Sequence, residues 1–298
     1  MTDEIPAQHK SGFVAVAGRP NVGKSTIVNR VTGAELSIVT PKAQTTRNRI
    51  TAIHTRPDAQ IILQDTPGIH EAKTPLNRSL VAAAVKTLEE SDVALFTVLP
   101  SAEIHREDQQ IIELIKAARK PSVLAINKID TVEKRYILPV IEAYSLAHQF
   151  EEIFPVCALT GEGLKELEES LLRLLPEGPP LFPEDEVSDL PTRFFVAEII
   201  REQITNLTGE EIPYKTAVIV ESFKERNGHV LIHADIHTER DSQKKILVGK
   251  QGQMIKKIGI AAREKIEAFL ERKVRLELFV KVSPNWTRNE RMLKEFGY

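Results

Sequence analysis

The sequence predicts two domains, a mostly parallel α/β sheet domain followed by a smaller α+β domain, and three observations carry that prediction. Short apolar runs alternate with helical stretches through the first half of the chain. A proline- and acid-rich stretch without periodicity follows, and beyond it the order becomes helix, strand, strand, helix, helix, strand. At 298 residues the chain is long enough for two compact cores.

In the first domain, Gly12 to Val16, Gln60 to Gln64, Val93 to Val98, Ser122 to Ile126 and Ile153 to Val156 are short apolar runs that read as buried strands. Thr26 to Val31, Asn77 to Leu88, Asp108 to Ala118 and Leu164 to Leu175 carry helical patterning between them, which places helices on both faces of the sheet. The stretch from Pro176 to Glu186 reads as a linker, so the expected domains are 1–176 and 191–298, with 177–190 joining them. In the second domain Thr192 to Leu207 reads as a helix. Ala217 to Phe223 and Val230 to His237 read as strands, joined by the hairpin signal Asn227-Gly228, and Val274 to Val280 is the last strand.

Composition narrows the class. The single cysteine, Cys157, excludes an intramolecular disulfide and reads as a small buried residue. Met1 to Ser11 is polar without an apolar core, so no signal peptide is expected. No apolar run approaches the length of a bilayer span, so any membrane association would be peripheral. Net charge is −2, yet residues 240–294 hold 15 Lys and Arg against 6 Asp and Glu, a surplus of +9 that leaves −11 for the rest. Such asymmetry suits a nucleic-acid surface on an otherwise acidic protein. The competing reading is a solvated helix face on which Arg263, Glu264, Lys265 and Glu267 pair among themselves.

Gly18 to Ser25, Gly-Arg-Pro-Asn-Val-Gly-Lys-Ser, is a complete Walker A phosphate loop between a strand and a helix. The glycines let successive N–H groups face phosphates, Lys24 adds charge, and the Ser25 hydroxyl can hold Mg²⁺. Asn127-Lys128-Ile129-Asp130 falls at the C-terminal end of a strand, the edge where ligands bind in open α/β sheets. The Asp130 carboxylate only accepts, so it pairs with the N1–H and exocyclic amine of guanine and would be unpaired against adenine. GTP over ATP follows. Asp65-Thr66-Pro67-Gly68 follows another strand: Asp65 can reach the Mg²⁺ shell through water, and Gly68 can offer its N–H to the γ-phosphate. In the polar stretch from Ser37 to Asn48, one threonine of Thr45-Thr46 completes the Mg²⁺ coordination; Thr46 is favoured and Thr45 stays open. Cys157-Ala158-Leu159 would bring the Ala158 N–H near the guanine oxygen, with Cys157 acting mainly through backbone.

Five motifs in this order resemble those of translation-factor-class GTPases, specifically the Era family of bacterial ribosome-assembly GTPases. Pro20-Asn21, Lys42 to Arg47 and Glu198-Ile199-Ile200-Arg201-Glu202 share the likeness, and Cys157 departs from the serine common there. The resemblance implies an α/β P-loop GTPase domain with an added antiparallel strand at Ile50 to His54, then a type II KH domain. Expected nucleotide contacts are Gly18, Arg19, Pro20, Asn21, Val22, Gly23, Lys24, Ser25 and Thr26; Asp65, Thr66, Pro67, Gly68 and Ile69; Asn127, Lys128 and Asp130; and Cys157, Ala158 and Leu159. Ser25, Thr46 and Asp65 form the expected Mg²⁺ set. Lys24, Thr46, Gly68 and Asn21 are the expected catalytic residues. Ile69 stands where Ras-like GTPases place a water-orienting glutamine, so slow intrinsic hydrolysis is expected. In related GTPases an asparagine placed like Asn21 helps bind K⁺, which makes K⁺ a candidate second cation.

Gly249-Lys250-Gln251-Gly252 joins two helical stretches, and its glycines let the sugar-phosphate backbone of a single strand approach. With Lys256 and Lys257 these are the expected RNA contacts. By resemblance the partner is the 3′ end of small-subunit, 16S-type ribosomal RNA, and the function is a GTP-hydrolysing switch in 30S assembly. A cytoplasmic monomer is expected, with peripheral association at the inner face of the cell membrane left open. Two other readings remain: a KH-like unit that serves as a protein or membrane-surface adaptor, and a kinase with a Walker A loop, which leaves Asn127 to Asp130 unexplained. His229, His233 and His237 share one face of a strand, but no cysteine supports a metal site there. Trp286 and Phe296 read as packing residues rather than base-stacking ones.

Overall fold

The computed structural model describes residues 9–40, 42, 46–69, 74–226 and 228–298. The described residues form two compact units, the second made of residues 190–298 with 74–76 and the first of the rest. In the first unit the elements run β1 (Lys10–Ala17), α1 (Lys24–Thr32), β2 (Ile50–Arg56), β3 (Ala59–Asp65), α2 (Pro75–Glu90), β4 (Val93–Val98), α3 (Arg106–Ala118), β5 (Ser122–Ile126), α4 (Ile137–Ala147), β6 (Glu152–Pro155) and α5 (Leu164–Leu174). Their sheet order is β2-β3-β1-β4-β5-β6, parallel throughout except for the antiparallel β2–β3 pair. Central strands β3, β4 and β5 are buried at every position, as strands covered on both faces must be, and that is why their middles read as short apolar runs.

Helix α4 is absent from the sequence reading. Pro139 suggests a break, but it sits in the first turn, where its missing N–H has no partner to lose. The proline-rich stretch after α5 also differs from a loose linker. It forms neither helix nor strand, yet it is strapped across the sheet. The N–H of Gly178 donates to the His9 carbonyl at 3.0 Å, and that of Ile53 to the Val187 carbonyl at 2.9 Å. Between these, the Gln60 Oε1 accepts from the N–H groups of Leu181 and Phe182 at 2.7 and 2.9 Å, and Gln60 Nε2 donates to the Phe182 carbonyl at 2.9 Å. Gln60 is fully buried, and the strap satisfies it.

The second unit runs α6 (Thr192–Leu207), β7 (Ala217–Arg226), β8 (His229–Thr238), α7 (Asp241–Val248), α8 (Gln253–Leu270), β9 (Lys273–Val282) and α9 (Glu290–Glu295). β7 and β8 pair antiparallel, β8 and β9 parallel. One face of β8, from Val230 to Ile236, packs with Val196, Ile200 and Ile204 of α6 and Ile258, Ala262 and Ile266 of α8. This is the helix and strand order of a type II KH domain. Gly228 takes φ +85°, as a tight hairpin requires; Asn227, the other half of that signal, lies outside the described residues. Trp286 is fully buried, with Nε1 donating to the Lys215 carbonyl at 3.0 Å and its ring against Phe296, so these aromatics pack on the domain. In the stretch shared with the Era family, Arg201 is buried and forks onto both carboxylate oxygens of Glu198.

Candidate nucleotide site

Residues 18–23 lie between the end of β1 and the start of α1, at the carboxyl edge of the sheet where strand order reverses around β1. Gly23 has φ +100°, and a Cβ there would sit 2.1 Å from Asn127 Nδ2, so only glycine fits. Asn21 also adopts a positive φ of 63°, which asparagine tolerates better than most residues, and Lys128 Nζ donates to its carbonyl at 2.8 Å. Lys24 is buried and donates to the carbonyls of Gly18 and Arg19 at 3.1 and 3.0 Å. Burial pushes the Lys24 ammonium down to a pKa of about 8, an effect the neighbouring Asp65 offsets only in part. Burial raises Asp65 in turn, against the pull of Lys24 and of the Ser25 and Thr46 hydroxyls.

Three oxygens meet beside Lys24. Ser25 Oγ donates to Asp65 Oδ2 at 2.6 Å and lies 2.9 Å from Thr46 Oγ1, which reaches the same carboxylate oxygen at 3.3 Å. Asp65 Oδ1 is buried without a hydrogen-bond partner. A hard oxygen set with an orphaned carboxylate oxygen fits Mg²⁺, which favours oxygen ligands and keeps part of its water shell. Thr46 is the threonine at this cluster; Thr45 lies outside the described residues.

A cavity of ≈ 400 Å³ opens here, lined by Pro20, Asn21, Gly23, Lys24, Ser25, Thr26, Thr46, Gly68, Asn127, Lys128, Asp130, Cys157, Ala158 and Leu159. Ile38, Val39 and Thr40 also line it, a wall that sequence reasoning missed; its one signal is an apolar pair inside a polar stretch. Gly18, Arg19, Val22, Asp65, Thr66, Pro67 and Ile69 are expected contacts that frame the cavity rather than line it. The Thr66 hydroxyl donates to the Val16 carbonyl at 2.7 Å, and the Ile69 N–H to the Gly18 carbonyl at 3.2 Å. Ile69 is buried, so no polar side chain follows Gly68 to orient water.

At the other end, Asp130 lies on the turn Ile129–Thr131 just after β5. Asn127 clasps two motifs together: its Nδ2 donates to the Val22 carbonyl at 2.8 Å and its Oδ1 accepts the Ala158 N–H at 3.0 Å. Ala158, expected to offer its N–H to the guanine oxygen, lines the cavity beside Asn127. Cys157, expected to act mainly through backbone, adds a side-chain contact, since its thiol donates to Asp130 Oδ1 at 3.1 Å and so orients the carboxylate. Arg30, also unforeseen, donates to the Leu159 carbonyl at 3.0 Å.

In the second unit, Gly249 to Gly252 joins α7 to α8. Gly249 has φ +71°, and a Cβ there would press within 2.7 Å of the Met254 side chain. Lys250, Gln251, Lys256 and Lys257 are exposed. A groove of ≈ 320 Å³ lies between α8 and β9, lined by the apolar Ile255, Ile260, Leu276 and Leu278, by Gly259 and by the basic Lys256 and Arg263. Among the described residues the three β8 histidines are not gathered together: His233 stacks on Phe279 at 4.5 Å, and His237, whose potential ligand atoms group with those of Glu221 and Asp235 instead, shares a 2.8 Å hydrogen bond with Ser283.

Fold and site together define a P-loop protein built to hold a guanine nucleotide, carrying a KH domain. A family model described as 50S ribosome-binding GTPase matches residues 13–128, and a KH domain model matches residues 211–287. GTPase Era of Geotalea uraniireducens is 52% identical over 98% of both chains, and GTPase Era of Lacticaseibacillus paracasei is 47% identical over 98% of both. A crystal structure of an Aquifex aeolicus Era variant bound to GDP and AlF4⁻ superimposes with a TM-score of 0.93 at 43% identity, covering 97% of this chain and 99% of that one. Era in complex with MgGDPNP and nucleotides 1506–1542 of 16S ribosomal RNA matches with a TM-score of 0.94 and the same 43% identity, 97% and 99% coverage. The chain belongs to the Era family of GTPases, and its reaction is the hydrolysis of GTP. No helix among the described residues is long and apolar enough to cross a membrane.

Proposed function

We propose that the protein is a GTP-driven switch whose KH domain, residues 191–298, binds the 3′ end of small-subunit ribosomal RNA during 30S assembly, acting as a cytoplasmic monomer. Residues 1–176 hold GTP or GDP, with Mg²⁺ on Ser25, Thr46 and Asp65, and residues 177–190 join the two domains. Bound Mg²⁺ supplies charge that offsets the negative charge on the phosphates. Lys24 adds its ammonium to the transferred phosphoryl group, and the Gly68 N–H meets the γ-phosphate. Asp130, steadied by Cys157, pairs with guanine. With Ile69 in place of a polar residue, the attacking water is left to backbone, a switch-region group, a partner or an ion to orient, and Asn21 is the group that would hold K⁺.

The observation that carries the RNA reading is the groove along α8, the helix that follows the Gly249 to Gly252 loop. Its apolar lining suits unstacked bases, Lys256 and Arg263 supply charge, and the glycines of the loop before α8 let the sugar-phosphate chain approach. The Era relative solved with a 16S segment supports the same reading. Fluorescence titration with a labelled single strand of the 16S 3′ end tests it. Lys256→Glu with Arg263→Glu is expected to weaken RNA binding by about tenfold or more at constant salt, with GDP affinity unchanged. Unchanged RNA binding would remove the groove as the RNA site and favour an adaptor role.

A further inference from the structure

One buried carboxylate outside every nucleotide motif is tied to the phosphate loop. Asp108, in the first turn of α3, is fully buried among apolar residues. Its Oδ1 accepts from Arg19 Nε at 2.8 Å, and its Oδ2 accepts from the Tyr144 hydroxyl of α4 at 3.1 Å. Tyr144 is itself buried, edge-on to Phe96. Burial, then the adjacent Asp108 charge, raises the phenol pKa, so the hydroxyl remains a donor. Arg19 is the second residue of the phosphate loop, and its side chain is spent on Asp108 rather than on the cavity wall.

What Arg19 anchors is the stretch that aligns the reacting groups. The Gly18 carbonyl takes both Lys24 Nζ and the Ile69 N–H, and the Arg19 carbonyl takes Lys24 Nζ as well. Pro20 lies so close to Gly68 that a Cβ on the glycine would fall 2.6 Å from the proline nitrogen. Residues 18–20 therefore hold Lys24 on one side and Gly68–Ile69 on the other, the two groups that must meet the γ-phosphate together. Stability is a poor account of a charge placed here, because the desolvation cost of a buried ion pair offsets most of its attraction. We propose that Asp108 is a positioning residue for GTP hydrolysis, holding the phosphate loop through Arg19 so that Lys24 and Gly68 keep their register.

The test compares Asp108→Asn, Arg19→Met, Arg19→Lys and the double variant Asp108→Asn/Arg19→Met in the full chain. Single-turnover hydrolysis at saturating GTP, GDP affinity and the thermal midpoint are measured for each. Small misplacements of reacting groups cost rate steeply, so Asp108→Asn and Arg19→Met are each expected to slow hydrolysis by about tenfold while GDP affinity stays within about twofold. Because both act through one contact, the double variant is expected to be no slower than either single variant. Arg19→Lys, which keeps the charge, is expected to retain more activity than Arg19→Met. Wild-type hydrolysis in Asp108→Asn despite a lowered thermal midpoint would reduce the pair to a structural support. If Asp108→Asn does not fold, the arginine variants decide alone, and equal rates for Arg19→Lys and Arg19→Met overturn the proposal.

Discussion

Burial shifts the Lys24 ammonium, and its place on the wall of the nucleotide cavity makes that shift measurable. Burial lowers its pKa to about 8, so the charged form declines as pH rises through that value. Anion binding draws on the charged form, so nucleotide affinity is expected to be level near pH 7 and to fall by up to about tenfold per unit above about pH 8. Lys24→Arg keeps its charge throughout, and GDP titrations of this variant are expected to lack the decline. An unchanged GDP affinity from about pH 7 to about pH 9 in the unaltered protein would contradict the assignment. Asn21 carries the second prediction at this scale. Its left-handed backbone and place on the cavity wall suit a residue that holds a monovalent cation beside the phosphates. Hydrolysis is expected to run faster in KCl than in equal NaCl, and Asn21→Ala to abolish that difference; equal rates in the two salts would sink the K⁺ role.

At the scale of elements, the strap makes its own prediction. Gln60→Ala would leave the N–H groups of Leu181 and Phe182 without their shared acceptor and the Phe182 carbonyl without its donor. Each such loss costs about 1–3 kcal/mol, so local opening is expected to rise and proteolysis within residues 178–188 to accelerate by about tenfold or more. Limited proteolysis with mapping of the cut sites checks it, and an unchanged rate would show that the strap is held by something other than Gln60. The strap also shows where sequence stops being legible. Strands β1 and β3 to β5 were readable because burial on both faces leaves each a short apolar run, and the nucleotide motifs were readable because they sit at the strand ends. Gln60 looks like one more strand residue, since nothing local announces that a stretch 121 residues away will satisfy it. Asp108 and Arg19 stand 89 residues apart with no motif joining them. Helix α4 went unread, and its Pro139 sits in the first turn, where a proline is harmless.

For the whole molecule, a switch needs groups whose contacts depend on the nucleotide and a route from them to the second domain. On the proposed function Thr46 and Gly68 are to supply the first, because only GTP would present a γ-phosphate to them. The route is written in the chain: β2 begins at Ile50, shortly after Thr46, and its Ile53 N–H and Thr51 carbonyl bond to Val187 and Ser188 at the end of the strap, just before the second unit starts at Leu190. Coupling of this kind is a free energy, so it acts equally in both directions. The single-stranded 16S 3′ end is expected to bind the GTP-analogue form at least about fivefold more tightly than the GDP form. The same RNA is then expected to favour the analogue over GDP by that same factor. Measuring both ratios in one buffer closes the thermodynamic cycle. Identical RNA affinities in the two nucleotide states would mean that hydrolysis times some event other than RNA release.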